Sequence, residues 1–123
     1  MPKRGNIQVV WTKSALESLH AIFNYYKTNV SVRIAESIKS NIFKASKQLK
    51  LHPGSGTKEY LLESLNEDHR YIIVLNYKLI YKLKDDVVYI TDVFDMRQNP
   101  DKIVIHNSED LNEPDAVYGK QHY

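Results

Sequence analysis

Three cationic side chains stand at spaced positions in the C-terminal half of this 123-residue chain. Arg70 begins an apolar run, Lys78 lies inside the next run, and Arg97 follows the third. Such side chains can hold the phosphates of a polyanion, and arginine is well suited because its planar guanidinium matches two phosphate oxygens. Beside a general base and a general acid, they could support cleavage of RNA without a metal, with the 2′-hydroxyl as nucleophile. We therefore select Arg70, Lys78 and Arg97 as the candidate catalytic residues.

The runs that carry these cations read as strands, over residues 70–75, 77–84 and 87–94. Only Asn76 separates the first two runs, and two aspartates separate the second from the third. The turns must therefore be tight, so the runs are expected to pair as an antiparallel meander.

Side chains along a strand alternate, which divides the middle run into two faces. One face carries Tyr77, Leu79, Tyr81 and Leu83, and the other carries Lys78, Ile80, Lys82 and Lys84. If the first face packs on helices, the second presents a row of ammonium groups to water. For Lys82 and Lys84, near the turn, the favoured interpretation is that they merely keep an exposed sheet face soluble. Lys78 fits a functional and a structural role equally. A functional and a structural role are also equally favoured for Arg70 and Arg97, because an arginine at a strand end often pairs with a nearby carboxylate such as Asp92 or Asp95.

The N-terminal half predicts one strand and two helices. Residues 7–11 have strand propensity. Thr12 or Ser14 can cap a first helix that ends near Asn29, and Ser31 can cap a second that ends before Pro53. Apolar residues recur at helical spacing in both segments: Ala15, Leu16, Leu19, Ile22, Phe23 and Tyr26, then Val32, Ala35, Ile38, Ile42, Ala45 and Leu49. The helices should form an antiparallel hairpin on the sheet, and residues 60–62 are expected to begin a further strand.

Length and charge predict one domain followed by a tail. Up to His106 the chain carries 16 Lys and Arg against 11 Asp and Glu, a net charge of +5, while residues 107–123 carry −3. We predict a domain over residues 1–106 and an acidic, flexible tail over residues 107–123. The fold class is α+β: an N-terminal strand, an antiparallel helical hairpin, and a three- to four-stranded antiparallel meander.

Several kinds of site find no support in the sequence. Cys is absent, which excludes disulfides and thiolate chemistry and favours a reducing cytoplasm. The five His lack the spacing of a metal site, and residues 53–56 lack the lysine of a phosphate-binding loop. No apolar run approaches the ~20 residues of a membrane helix, and the basic start has no apolar stretch behind it. We therefore expect a cytoplasmic, soluble protein without cofactor, metal or membrane contact.

Four short motifs accompany the predicted order of elements: Pro53-Gly-Ser-Gly56, His69-Arg70-Tyr71, Asn76-Tyr-Lys-Leu-Ile-Tyr81 and Val93-Phe-Asp-Met-Arg97-Gln-Asn-Pro100. Together they resemble the RelE/ParE toxin superfamily of bacterial type II toxin–antitoxin systems, over about residues 7–103. The resemblance implies a small basic toxin that stops growth until a cognate antitoxin binds it in a hetero-oligomer. It also implies that Arg70, Lys78 and Arg97 occupy the places of the family's basic groove. Exposed apolar residues on the second helix or the last strand are expected to contact the antitoxin.

The resemblance leaves two targets open. The RelE branch cleaves messenger RNA on the ribosome, whereas the ParE branch poisons DNA gyrase. This chain has a single cation, Arg70, where the RelE branch tends to have two lysines. It has Asp95, Arg97 and Ile103 where that branch has a Tyr or a His-Tyr pair. Whether the chain is a metal-independent endoribonuclease or a gyrase inhibitor therefore stays open, and the alternative is a non-toxic interaction domain of the same fold.

Overall fold

The computed structural model describes residues 7–108 and 117–118. In chain order they form β1 (Gln8–Thr12), α1 (Lys13–Asn29), α2 (Val32–Gln48), β2 (Thr57–Lys58), a 3-10 helix (Tyr60–Leu65), β3 (Arg70–Val74), β4 (Tyr77–Lys84), β5 (Val87–Asp95), α3 (Asp101–Ser108) and β6 (Val117–Tyr118). This order confirms the predicted α+β class, with its N-terminal strand, helical hairpin and antiparallel meander.

All the described strands belong to one sheet, in the order β2-β3-β4-β5-β1-β6. β3, β4 and β5 pair antiparallel, as their short connections require. Asp85 and Asp86 form the second turn with φ of 52° and 63°, a left-handed conformation that aspartate tolerates because its short side chain can bond locally. β1 pairs parallel with β5, so α1 and α2 together make the crossover between the N-terminal strand and the meander.

Hydroxyl side chains cap both long helices. The Thr12 hydroxyl accepts from the backbone N–H of Ala15 at 3.2 Å, so Thr12 is the cap of α1 and Ser14 lies inside the helix. The Ser31 hydroxyl accepts from the N–H of Ile34 at 3.1 Å and starts α2. Each cap satisfies a backbone donor that the first helical turn leaves unbonded, which stabilises a helix by roughly 1 kcal/mol.

The main core lies between the helical hairpin and one face of the sheet. Its largest fully buried members are Trp11, Leu19, Ile42, Leu49, Leu79, Tyr81 and Ile90. The β4 residues among them belong to the face that carries Tyr77, so this is the face of β4 that packs on the helices. At about 1.5–3 kcal/mol for each large apolar side chain, this face holds the hairpin on the sheet.

The opposite face of the sheet is also partly covered, which the sequence analysis did not foresee. Leu62 of the 3-10 helix and Ile103 of α3 pack with Ile80 and Phe94 in a second core. Residues 60–62 are thus part of a 3-10 helix, and their assignment to a strand is wrong. The reason is local: the Glu59 carboxylate accepts from the backbone N–H of Leu61 at 3.2 Å and starts a helical turn there.

α3 is an element that the sequence analysis did not predict. The Asn99 side chain accepts from the N–H of Asp101 at 3.0 Å, and Pro100 stands at the first turn, where its missing N–H does no harm. α3 ends at Ser108, two residues beyond the predicted domain boundary. Val117–Tyr118 of the predicted tail pair with β1, and the other residues after Ser108 lie outside the described residues. Within the part of the chain that the structure describes, each helix is too short or too polar to cross a membrane.

His69 is a buried polar residue whose titration should affect stability. It is 4% exposed, and burial lowers its pKa to about 4, with the Lys82 ammonium as the second cause. In the unfolded chain an ordinary histidine titrates near 6.5. As the pH falls through this window, the unfolded state therefore takes up a proton before the folded state does.

We expect the free energy of unfolding to fall by up to about 3 kcal/mol between pH 6.5 and pH 4 because of His69. Urea unfolding at several pH values measures the slope. His69→Gln should flatten it, since the variant has no group that titrates at this position. His20→Gln, at an exposed position on α1, should keep the wild-type slope. Equal slopes for wild type and His69→Gln would contradict the assignment.

Candidate functional site

Arg70 lies at the start of β3, on the face that carries the helical hairpin. Its cross-strand partner there is Tyr81, a member of the main core. The Arg70 guanidinium donates to the carbonyl of Gly56 at 3.0 Å and contacts the carbonyl of Gly54 and the carboxylate of Asp68, each at 3.4 Å. Most of its bonding therefore fixes backbone of its own chain.

The Tyr81 side chain binds the same loop as Arg70. Its hydroxyl accepts from the N–H of Gly56 at 2.9 Å and donates to the carbonyl of Pro53 at 2.8 Å. A Cβ at position 56 would lie 2.5 Å from the Tyr81 hydroxyl oxygen, which explains why glycine stands there. The Pro-Gly-Ser-Gly motif is thus a turn bound to β3 and β4, and Arg70 is one of its attachments.

Lys78 lies on the opposite face of β4 and is nearly enclosed. Its ammonium is 2.8 Å from the carboxylate of Glu59, which is 4% exposed, and it lies 4.2 Å from the centre of the Tyr71 ring. Lys82 is paired in the same manner, with Glu67 at 2.9 Å. The predicted row of ammonium groups facing water is therefore wrong for these two lysines, because the segment before β3 covers this face and supplies a carboxylate to each.

Arg97 is the most exposed of the three candidates, with 60% of its side chain accessible. The Asp95 carboxylate accepts two hydrogen bonds from its guanidinium, from Nε at 2.9 Å and from Nη2 at 2.7 Å. The hydrogen bonds from Arg97 lower the pKa of the Asp95 carboxyl, and the bond to Asp95, followed by that to Tyr26, raises the pKa of Arg97. The expectation that a strand-end arginine pairs with Asp95 is confirmed.

The three candidates do not share one surface. Arg70 lies beside Tyr81, whereas Arg97 follows Asp95, the cross-strand partner of Tyr77. Four positions of β4, or roughly 13 Å, separate these two places. Lys78 points to the other face because side chains alternate along β4. The basic sheet surface that was predicted to gather them is thus divided, and a functional role for each residue stays a prediction.

The sequence analysis also missed a polar network centred on Asp92. This carboxylate is fully buried, accepts from the Ser18 hydroxyl at 3.1 Å and from the Asn107 amide at 3.3 Å, and lies 3.2 Å from Nδ1 of His106. Burial raises the pKa of Asp92, and the neighbouring His106 opposes that shift. The signal that could have revealed it is a carboxylate in the middle of an apolar strand, since such a group needs partners when buried.

Apolar side chains are exposed where α1 meets α2. Tyr25, Val30, Val32 and Ile34, here called the hairpin end, have exposed fractions between 41% and 58%. Two of them lie on the second helix, where the sequence analysis expected an apolar contact surface. Exposed apolar groups that are close together in a chain of this size are typical of a protein-binding surface.

Comparison with known proteins gives a match to one family and matches to solved structures. The family described as "ParE toxin of type II toxin-antitoxin system, parDE" has a sequence model that matches residues 9–100. Among solved structures, the chain is similar to one titled "Chromosomal ParDE TA system from P. aeruginosa", with 16% identity and a TM-score of 0.64. That match covers 76% of this chain and 98% of the other, and at this identity it shows the fold alone. Among curated proteins, no sequence matches this chain.

The geometry predicts that Lys78 and Glu59 act as a structural pair. Lys78→Met should destabilise the protein by about 2–4 kcal/mol, because it leaves a buried carboxylate without its partner. Lys78→Met with Glu59→Met should be less destabilising than the two single changes added together, by at least about 1 kcal/mol. Chemical denaturation of the wild type, the singles and the double variant measures this coupling.

The matched control is Lys84→Met, at an exposed position at the end of the same strand. Its effect should stay within about 0.5 kcal/mol, as is usual for surface changes. Additive single changes at Lys78 and Glu59 would show that the pair contributes nothing and that Lys78 is retained for another reason.

Proposed function

Because this chain belongs to the ParE toxin family of type II toxin–antitoxin systems, we propose that it inhibits growth by binding a protein target. In the ParE branch of the superfamily that target is DNA gyrase. One observation supports this choice over RNA cleavage: two of the three predicted catalytic cations, Arg70 and Lys78, already pair with a carboxylate of their own chain.

For Lys78, the burial of its partner Glu59 argues against a role in binding phosphate. If its ammonium turned to a phosphate, Glu59 would remain 4% exposed and unpaired, and an uncompensated buried charge is strongly unfavourable. Arg70 is bound to the carbonyl of Gly56, which anchors the turn before β2. Each side chain would have to give up these bonds in order to turn towards a scissile phosphate.

The groups next to these two cations are equally unsuited to proton transfer. His69 precedes Arg70 but is buried, with its pKa lowered to about 4. The Tyr81 hydroxyl is bonded on both sides, and burial raises its pKa. A general base must reach the proton that it removes. The surroundings of Arg70 and Lys78 therefore favour a binding protein over a nuclease.

The antitoxin is the second protein partner in this proposal. The hairpin end offers it exposed apolar side chains, and residues up to His106 carry a net charge of +5. An amphipathic segment with acidic residues would complement both features. Binding would form a toxin–antitoxin hetero-oligomer and cover the apolar residues that water now contacts.

A direct test of the target is a supercoiling assay. Micromolar purified protein should inhibit DNA supercoiling by gyrase, whereas messenger RNA in a translating extract should stay intact when its ends are mapped. The paired variant Lys78→Met, Glu59→Met should inhibit within about twofold of the wild type if it is folded, because the pair is structural. Cut messages together with unaffected gyrase would overturn the proposal.

The antitoxin surface has a separate test. Val32→Asp with Ile34→Asp should weaken binding of the antitoxin encoded beside this gene by at least about tenfold, or ~1.4 kcal/mol. Calorimetric titration of the purified pair measures the change. Ser37→Asp with Ser40→Asp is the matched control, since it adds the same charge at exposed positions of α2. Equal weakening by both variants would show that charge alone acts and that the hairpin end is not the contact.

A further inference from the structure

A cavity of about 450 Å³ opens between α1, the end of β5 and α3. The side chains that give it chemical character are Tyr25, Tyr26, Tyr77, Arg97 and His106. These residues lie in α1, in β4, in the connection after β5 and in α3, and they come close together only in the folded protein. The action proposed above uses only one of them, Tyr25.

Arg97 enters this cavity with its orientation already fixed. Asp95 binds the Nε and Nη2 edge of the guanidinium and also accepts from the Arg97 backbone N–H at 2.9 Å. Tyr26 lines the same cavity as this guanidinium. Since both Asp95 oxygens are bonded to Arg97, this carboxylate offers less repulsion to an incoming anion than a free one would. A held guanidinium loses less side-chain freedom when it binds a ligand.

His106 is held by the buried Asp92 in a comparable way. Nδ1 of His106 lies 3.2 Å from Asp92 Oδ2, so an N–H at Nδ1 donates to this carboxylate. In the imidazolium form the second ring nitrogen also carries a proton, and it is this N–H that can donate to an anion in the cavity. The Phe94 ring packs edge-on against the imidazole, with centroids 5.7 Å apart. The side chain is 36% exposed although its carboxylate partner is fully buried.

The tyrosines supply both donors and an aromatic surface. The Tyr77 hydroxyl donates to that of Tyr26 at 3.4 Å, and burial raises the pKa of Tyr77, so the group keeps its proton. Tyr25 packs edge-on to Tyr26 and is itself 58% exposed. An exposed ring beside hydrogen-bond donors is the arrangement on which a nucleobase stacks.

We propose that this cavity binds a nucleotide, with its phosphate at Arg97, Tyr26 and His106 and its base on Tyr25. The donor set fits an oxyanion, because guanidinium and hydroxyl groups converge there and Asp92 lies behind the imidazole. The site goes beyond the proposed action on a protein target. Its occupancy can be measured on the purified protein without reference to growth, gyrase or the antitoxin.

The test is an NMR titration of the purified full-length protein with adenosine monophosphate. Resonances of the His106 ring and of the Tyr25 and Arg97 amides should shift saturably, with a Kd at or below about 1 mM. Arg97→Gln should weaken binding at least tenfold, His106→Gln about threefold, and Tyr25→Ala about threefold. Arg33→Gln and His20→Gln are the matched controls at exposed positions and should leave the affinity unchanged.

Two further ligands separate the parts of the proposal. Adenosine should bind at least tenfold more weakly than the monophosphate, and inorganic phosphate should bind weakly at the same resonances. Equal affinity for adenosine would overturn the phosphate assignment, and equal affinity for inorganic phosphate would overturn the role of the base. Absence of shifts at about 10 mM adenosine monophosphate would overturn the site altogether. The same spectra report whether each variant is folded, so a loss of binding by an unfolded variant is not mistaken for support.

Discussion

The central strand β4 is buried on both faces, and this constraint governs the charged residues of the sheet. The helical hairpin covers one face, while the 3-10 helix and α3 cover part of the other. A lysine on a strand so enclosed must have a partner, because an unpaired buried charge is strongly unfavourable. Lys78 pairs with Glu59 and Lys82 with Glu67, both supplied by the segment that precedes β3. The meander therefore depends on that segment for charge as well as for packing.

The covering of both sheet faces moves the surfaces open to partners away from the sheet's centre. Two accessible features of the described residues are the hairpin end, where apolar side chains meet water, and the cavity beside α3, where Arg97 and His106 are held by carboxylates. The two features differ in chemistry, one apolar and one polar. Because Tyr25 belongs to both, a protein bound at the hairpin end would lie close to the cavity opening. The fold thus places the proposed protein-binding surface and the proposed nucleotide site side by side on α1.

The elements that the sequence predicted well are those with strong local signals. The helix starts at Ser31 and near Thr12 follow from single capping side chains, and the meander follows from alternation and two tight turns. The second core was not predictable in this way, because its contacts come from isolated residues such as Leu62 and Ile103 in segments without periodicity. The ion pairs also could not be predicted from local sequence patterns, since Glu59 lies 19 positions from Lys78. Alternation correctly separated the faces of β4, but it could not tell that the lysine face would be covered.

α3 links these features, because its side chains serve both the core and the cavity. Ile103 packs in the second core, while the Asn107 amide oxygen accepts from the Thr91 hydroxyl at 2.7 Å. Thr91 is the extra residue of a register shift in β5, which lets it reach α3 and sets Asp92 opposite Ile80. If α3 left the sheet, Asp92 would lose two of its three side-chain partners while Ser18 remained. A ligand that binds His106 in the docked position would therefore also stabilise α3 on the sheet, since binding favours the conformation that contains the site.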